Sequence, residues 1–161
     1  MAKAINNAAV PMGGVIASKK IYDTFLDGTK AGVEFFHGYT YSAHPLAVAA
    51  GLAAQEIYKE EGIYDKVTSN AKYFEDGIHS LKGSPHITDI RNIGLAGGLT
   101  IAQRDGVVGA RAYDFFLKAY EHGVALRPNG DTIAIAPILT SEPKNLDPIF
   151  DALQKAANEI N

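Results

Sequence analysis

Ile87-Thr88-Asp89-Ile90-Arg91-Asn92, a turn across Gly94-Leu95-Ala96-Gly97, and Gly98-Leu99-Thr100-Ile101-Ala102-Gln103 decide the fold of this chain. Each flank alternates apolar and polar side chains well enough to read as a strand, and the glycines between them mark a turn. Upstream, Ile63, Val67, Ala71, Phe74, Ile78 and Leu81 recur on one helical face, which Lys82-Gly83-Ser84-Pro85 closes. Downstream, residues 107–122 predict a helix with Val108, Ala112, Phe115 and Ala119 inward and Gly123 at its C′ position. Residues 124–127 and 131–136 predict a second strand pair around Pro128-Asn129-Gly130. Asn145 is the expected cap of a last helix, whose Leu146, Ile149, Phe150, Leu153, Ala156, Ala157 and Ile160 form the cleanest amphipathic stripe of the chain. The fold class is α+β: a short, mostly antiparallel sheet covered by helices on one side.

The first third reads less clearly. Residues 10–18 are apolar, with Gly13-Gly14 inside, and predict a buried strand. Residues 19–26 predict a short helix that Asp27-Gly28-Thr29 ends. Residues 30–44 have no period, yet Phe35, Phe36, Tyr39 and Tyr41 make a loop that needs something to pack against. Pro45 suits the first turn of a helix, and Leu46, Ala49, Ala50, Ala53 and Ile57 predict a narrow inward face that runs until Gly62.

At 161 residues, 47% hydrophobic and 20% charged, the chain has the composition of a soluble globular protein of one domain or one and a fraction. A net charge of -3 argues against a dedicated nucleic-acid binder, which carries a basic stripe. The absence of cysteine removes disulfides, thiolate nucleophiles and cysteine-ligated zinc, and fits a reducing compartment. No apolar run approaches the ~20 residues that span a bilayer, and Asn6-Asn7 interrupt any signal-peptide core after Met1-Ala2-Lys3. The expectation is a cytoplasmic protein with no membrane and no nucleic-acid partner.

Physics alone names no chemistry. The sequence holds no GxGxxG, P-loop, GxSxG or HExxH motif. His37, His44, His79, His86 and His122 lack metal-ligand spacing, so no metal is assigned. On position alone Lys3 is a solvated terminal lysine, Thr40 a loop hydroxyl bonded to its own backbone, and Arg127 a surface-turn arginine.

Three blocks nevertheless carry a resemblance. They are Met1-Ala2-Lys3-Ala4-Ile5-Asn6-Asn7 with Val10-Pro11-Met12-Gly13-Gly14-Val15-Ile16-Ala17, then Phe36-His37-Gly38-Tyr39-Thr40-Tyr41-Ser42-Ala43-His44-Pro45, then Asp89-Ile90-Arg91-Asn92-Ile93-Gly94-Leu95-Ala96-Gly97 continuing to Gly123-Val124-Ala125-Leu126-Arg127-Pro128 and Gly130-Asp131-Thr132. In order and spacing the chain resembles the C-terminal part of class III, pyridoxal-phosphate-dependent aminotransferases of the omega-amino acid:pyruvate (β-alanine:pyruvate) type. The fold this implies is the small domain of a fold-type I transferase with a remnant of the large one, residues 1–50 being the large-domain remnant and residues 51–161 the small C-terminal domain.

The same resemblance implies that Lys3 is the lysine that carries pyridoxal 5'-phosphate and moves the substrate proton. That work needs a neutral amine, which burial and nearby positive charge favour. It implies that Thr40 reaches the cofactor phosphate of a neighbouring subunit, and that Arg127 grips the substrate carboxylate with its planar fork and swings aside for a plain amine. An omega-amino acid or amine and pyruvate are the expected substrates, and a dimer or tetramer the expected assembly. Ala43 departs from the pattern, standing where many relatives have glycine. The family's phosphate loop, ring-stacking aromatic and ring-nitrogen aspartate come from residues before the lysine. The expectation is therefore a C-terminal portion that is inactive alone, with an exposed strand edge and aromatic loop favouring association. Other readings are another class III reaction, aminomutase or decarboxylase, and a non-catalytic α+β interaction domain.

Overall fold

The computed structural model describes residues 1–27, 30 and 37–161. The chain forms two compact units, Met1–Glu61 and Gly62–Asn161. The expected roles of Gly28, Thr29, Phe35 and Phe36 lie outside the described residues.

In the first unit a 3₁₀ turn, Lys3–Ile5, precedes helix α1 (Lys19–Asp27) and helix α2 (Pro45–Glu60). Pro45 opens α2 directly after His44. The face that α2 buries is Ala47, Gly51 and Ala54, not the expected one; Leu46 and Ile57 are exposed. The reason is the neighbour. Met12 crosses α2 at Gly51, where a Cβ would stand 3.4 Å from its Sδ, so only small side chains let the segment lie close. Tyr58 Oη donates to the Ala4 carbonyl at 2.9 Å and Gln55 Nε2 to the Ile5 carbonyl at 3.4 Å, fastening the 3₁₀ turn to α2. Residues 10–18 form no strand. A strand needs a ladder of partners; the described residues supply one rung, the Gly14 N–H donating to the Met1 carbonyl at 2.8 Å and the Met1 amino group to the Gly14 carbonyl at 2.6 Å, and Val15 and Ile16 are left exposed. Tyr39 and Tyr41 are likewise exposed, so the expected cover of the aromatic loop is not found among the described residues.

The second unit follows the sequence pattern closely. Helix α3 (Ile63–His79) starts after Gly62, which takes the left-handed φ of 61°. Strands β1 (Ile87–Ile93) and β2 (Ala96–Ile101) pair around a two-residue turn, tighter than the glycine pattern predicts. Helix α4 (Ala110–Glu121) buries Ala112, Phe115 and Ala119. It begins three residues later than expected, because Gly109 has φ 79° and Val107 and Val108 remain exposed before it. Strands β3 (Arg127–Asn129) and β4 (Thr132–Ile135) turn at Gly130-Asp131, so Pro128 and Asn129 belong to the strand instead of the loop. Pro128 is tolerated because β3 is the sheet edge and needs no ladder N–H there. Helix α5 (Pro143–Glu159) starts two residues before the expected cap, and Asn145 caps from inside it, Oδ1 accepting from the Glu142 N–H at 2.9 Å.

The four strands run antiparallel in the order β1-β2-β4-β3. Leu99, Ile101, Ile133 and Ile135 point from one face into a core shared with Phe74 and Ile78 of α3, Phe115 of α4 and Leu146 and Leu153 of α5. At roughly 1.5–3 kcal/mol for each large apolar side chain withdrawn from water, this cluster dominates the stability of the unit. No helix among the described residues is long and apolar enough to cross a membrane.

Two contacts generate predictions. A Cβ at Gly77 of α3 would stand 2.2 Å from the Phe150 ring of α5. Gly77→Ala gains about 1 kcal/mol of helix propensity, but the overpacking outweighs it, and urea denaturation should show a net loss of about 1–2 kcal/mol. The second contact is Asp131, whose carboxylate accepts the Gly109 N–H at 2.7 Å and Gln103 Nε2 at 2.7 Å. The Gly109 bond first, then Gln103, holds this carboxyl below its ordinary pKa. A depressed folded value means stabilisation that is complete above the ordinary aspartate value of about 3.9 and fades as pH falls through the lower folded one. Asp131→Asn should therefore lower Tm at pH 7, with the gap from the parent closing as the pH is taken below 3.9.

Candidate functional site

Lys3 sits at the start of the 3₁₀ turn with φ 56°, a left-handed value uncommon outside glycine. Its carbonyl accepts from the N–H groups of Asn6 and Ala8 at 3.4 and 3.3 Å. Asn6, 2% exposed, donates from Nδ2 to the Val10 carbonyl at 2.6 Å. The backbone around Lys3 is thus held from several sides. Its side chain is exposed, so the burial expected of this amine is not found among the described residues. The contacts of the turn with α2 go to the Ala4 and Ile5 carbonyls.

Thr40 lies in the turn that leads into α2. With Gly13, Gly38, Ser42 and His44 it lines a cavity of about 750 Å³ within the first unit. That volume is in the range of small-molecule sites. Neither the Thr40 nor the Ser42 hydroxyl has a bonding partner among the described residues, while the Ser42 N–H closes the turn on the Tyr39 carbonyl at 2.9 Å. Free hydroxyl donors beside glycine backbone and a helix start fit a phosphate group, which binds through short, charge-assisted hydrogen bonds. Ala43 adopts φ 58°, the conformation for which glycine is best suited. Lys3 is not among the residues lining this cavity. Among the described residues, this cavity does not bring Lys3 and Thr40 together.

Arg127 stands in the second unit, on edge strand β3, exposed and without a hydrogen-bond or ion-pair partner among the described residues. By register it pairs with Ala134. Its guanidinium is free to meet a carboxylate with two parallel bonds.

Three contributors were not singled out from the sequence. Ser42 and His44 line the Thr40 cavity, and their places in the same short turn as Thr40 were the available signal. Arg91 lies on the same sheet as Arg127; its Nη1 donates to Asp89 at 2.6 Å and to Thr100 at 2.8 Å, and its Nη2 to Thr132 at 3.3 Å. Only the strand register reveals that relation.

A sequence model of aminotransferase class III matches residues 1–157. The beta-alanine–pyruvate aminotransferase of Pseudomonas aeruginosa is 46% identical over 162 residues, covering 99% of this chain and 36% of that protein. An omega-aminotransferase of Caulobacter vibrioides is 42% identical over 161 residues, 100% of this chain and 37% of its own length. A solved transaminase with L-Ala superposes with a TM-score of 0.85 over 99% of this chain and 39% of that one; at 23% identity it speaks for the fold alone. The chain thus spans little more than a third of these relatives. The chain belongs to the class III aminotransferases, a family that works with pyridoxal phosphate.

Proposed function

We propose that these residues are the C-terminal portion of a transaminase that moves an amino group from an omega-amino acid or amine, β-alanine-like, to pyruvate. The observation that carries the reading is the match of the family over residues 1–157 together with 46% identity to a beta-alanine–pyruvate aminotransferase. In this reading residues 1–50 belong to the large, cofactor-binding domain and residues 51–161 to the small C-terminal domain.

Pyridoxal phosphate, when bound, supplies the electron sink for the carbon that loses its proton. Lys3 Nζ holds the cofactor and moves that proton, and the fixed backbone of its turn orients the amine. The Thr40 hydroxyl donates to the phosphate. Arg127 holds the substrate carboxylate with its fork and turns away when the donor is a plain amine; its lack of a partner among the described residues supports both states. In this reading Thr40 serves the site of a second subunit and the working form is a homo-oligomer, which the absence of Lys3 from the lining of the Thr40 cavity supports. The exposed Val15, Ile16, Tyr39 and Tyr41 support such association. The 161 residues alone, with the Lys3 amine exposed, are inactive. A chain without cysteine suits the cytoplasm.

A chimera tests this. This chain replaces the matching 36% of the Pseudomonas aeruginosa relative, and alanine formation from β-alanine and pyruvate is followed. The chimera should be active. Lys3→Ala should abolish turnover and the phosphopyridoxyl adduct trapped at that position by borohydride. Loss of one charge-assisted fork in Arg127→Met should raise KM for β-alanine roughly tenfold or more while sparing a plain amine donor. An Arg127→Met chimera that treats the two donors alike, or an adduct on another lysine, would refute the assignment.

A further inference from the structure

Four residues line up across the sheet of the second unit. Arg91 pairs with Gly98, Gly98 with Ala134, and Ala134 with Arg127. Members of such a row leave the sheet on one side. The adjoining row, Ile90, Leu99, Ile133 and Pro128, leaves on the other, where Leu99 and Ile133 are fully buried under the helices. Both arginines therefore stand on the face away from the helices, at the ends of a row whose middle carries only a hydrogen and a methyl. Three strand spacings, about 14 Å, separate their backbones.

Arg91 covers part of that span. Its guanidinium lies over Gly98, with Cζ and Nε 3.5 Å from the position a Cβ would take. It is laced to three strands: Asp89 on β1, Thr100 on β2 and Thr132 on β4. A guanidinium has five N–H donors. Three are used here, and two remain without a partner among the described residues. Arg127 stands at the other end of the row with no partner for its donors among the described residues, and Ala134 is the only side chain between them in the row. Asp89 is the one acidic group on Arg91, at 2.6 Å, and it offsets part of the positive charge that the row presents.

We propose that Arg91 and Arg127 are the two arms of one carboxylate subsite floored by Gly98 and Ala134, with Arg91 the fixed arm and Arg127 the movable one. The inference rests on the reading of Arg127 as a carboxylate binder and adds to it a second cation, a floor and a tuning residue. A fixed arm keeps a positive wall in place when the movable one turns away. The carboxylate of an amino donor or of a keto acid, both ending in the same group, is then recognised by two guanidinia instead of one.

The test is propionate titrated into the full 161-residue chain, read through the arginine side-chain Nε–Hε signals. The signals of Arg91 and Arg127 should move together with one dissociation constant. Arg91→Met should weaken binding at Arg127 roughly tenfold, the scale of a hydrogen bond to a charged group. Asp89→Asn should tighten it by about twofold, the scale of one exposed charge, and that gain should vanish in the Arg91→Met background. Tightening is a result that general damage to the sheet does not produce. Ala134→Leu fills the floor without touching either arginine and should also weaken binding roughly tenfold, which keeps the test alive if Arg91→Met unfolds. An Arg127 signal that shifts with an affinity indifferent to Arg91 and Ala134 overturns the two-armed site and leaves the Arg127 reading standing. Silence of Arg127 itself in the parent chain overturns both.

Discussion

The period of two in the β1-β2-β4-β3 sheet is the constraint on which the second unit and its arginines depend. Leu99, Ile101, Ile133 and Ile135 are at most 2% exposed, and Thr100, Thr132 and Ala134 alternate with them on the open face. A slip of one residue in β4 exchanges the two sets. It would bring Ile133 and Ile135 to water at roughly 1.5–3 kcal/mol each, a penalty larger than any single contact on the open face can offset. The same slip between β3 and β4 would turn Arg127 toward the core and Pro128 outward. The core thus holds the register, and the register places the arginine.

Asp131 carries that constraint from sheet to helix. The two-residue turn Gly130-Asp131 fixes how β3 pairs with β4, and the Asp131 carboxylate then takes the Gly109 N–H just ahead of α4. A negative group at that end of a helix meets both an unpaired donor and the positive end of the helix dipole. Gly109 and Gly130 approach so closely that a Cβ on Gly109 would stand 3.3 Å from the Gly130 carbonyl oxygen. Two glycines and one carboxylate therefore tie the hairpin that bears Arg127 to a helix whose Phe115 is fully buried in the same core.

Much of this half was legible in the sequence because its elements are half-buried, and half-burial writes itself as periodicity. The stripes of α3 and α5 and the alternation of β1 and β2 are of that kind. Element ends were less legible: Val107 and Val108 read as helix, yet the left-handed Gly109 stops the helix short of them. The first unit misled for a physical reason. In α2 the large side chains Leu46 and Ile57 suggested the inward face, but the segment that covers the helix brings Met12 to Gly51 and selects the smallest residues. Residues 10–18 have the composition of a strand, and composition does not supply the partner that makes one. The candidate site was not legible through burial at all, since Lys3, Thr40 and Arg127 are all exposed; it became visible only through resemblance. Arg91 was missed because Asp89 and Arg91, two apart on a strand, read as an ordinary exposed charge pair, and one sequence does not give its register with Arg127.

The backbone of Lys3 separates it from an ordinary terminal lysine. Lys3, Asn7 and Ala8 all take left-handed φ values within six residues. For a residue with a Cβ this conformation costs about 1–2 kcal/mol, so three in one short turn unwind unless the surroundings over-determine them. Here they do: Tyr58 and Gln55 bond the Ala4 and Ile5 carbonyls, buried Asn6 bonds Val10, and the Lys3 carbonyl takes two N–H groups of its own turn. Strain held in this way at one lysine, with its amine left outward, is the reverse of what fraying produces. The turn fixes where the Lys3 side chain emerges and leaves its amine exposed; the desolvation that would keep such an amine neutral is not supplied by the described residues.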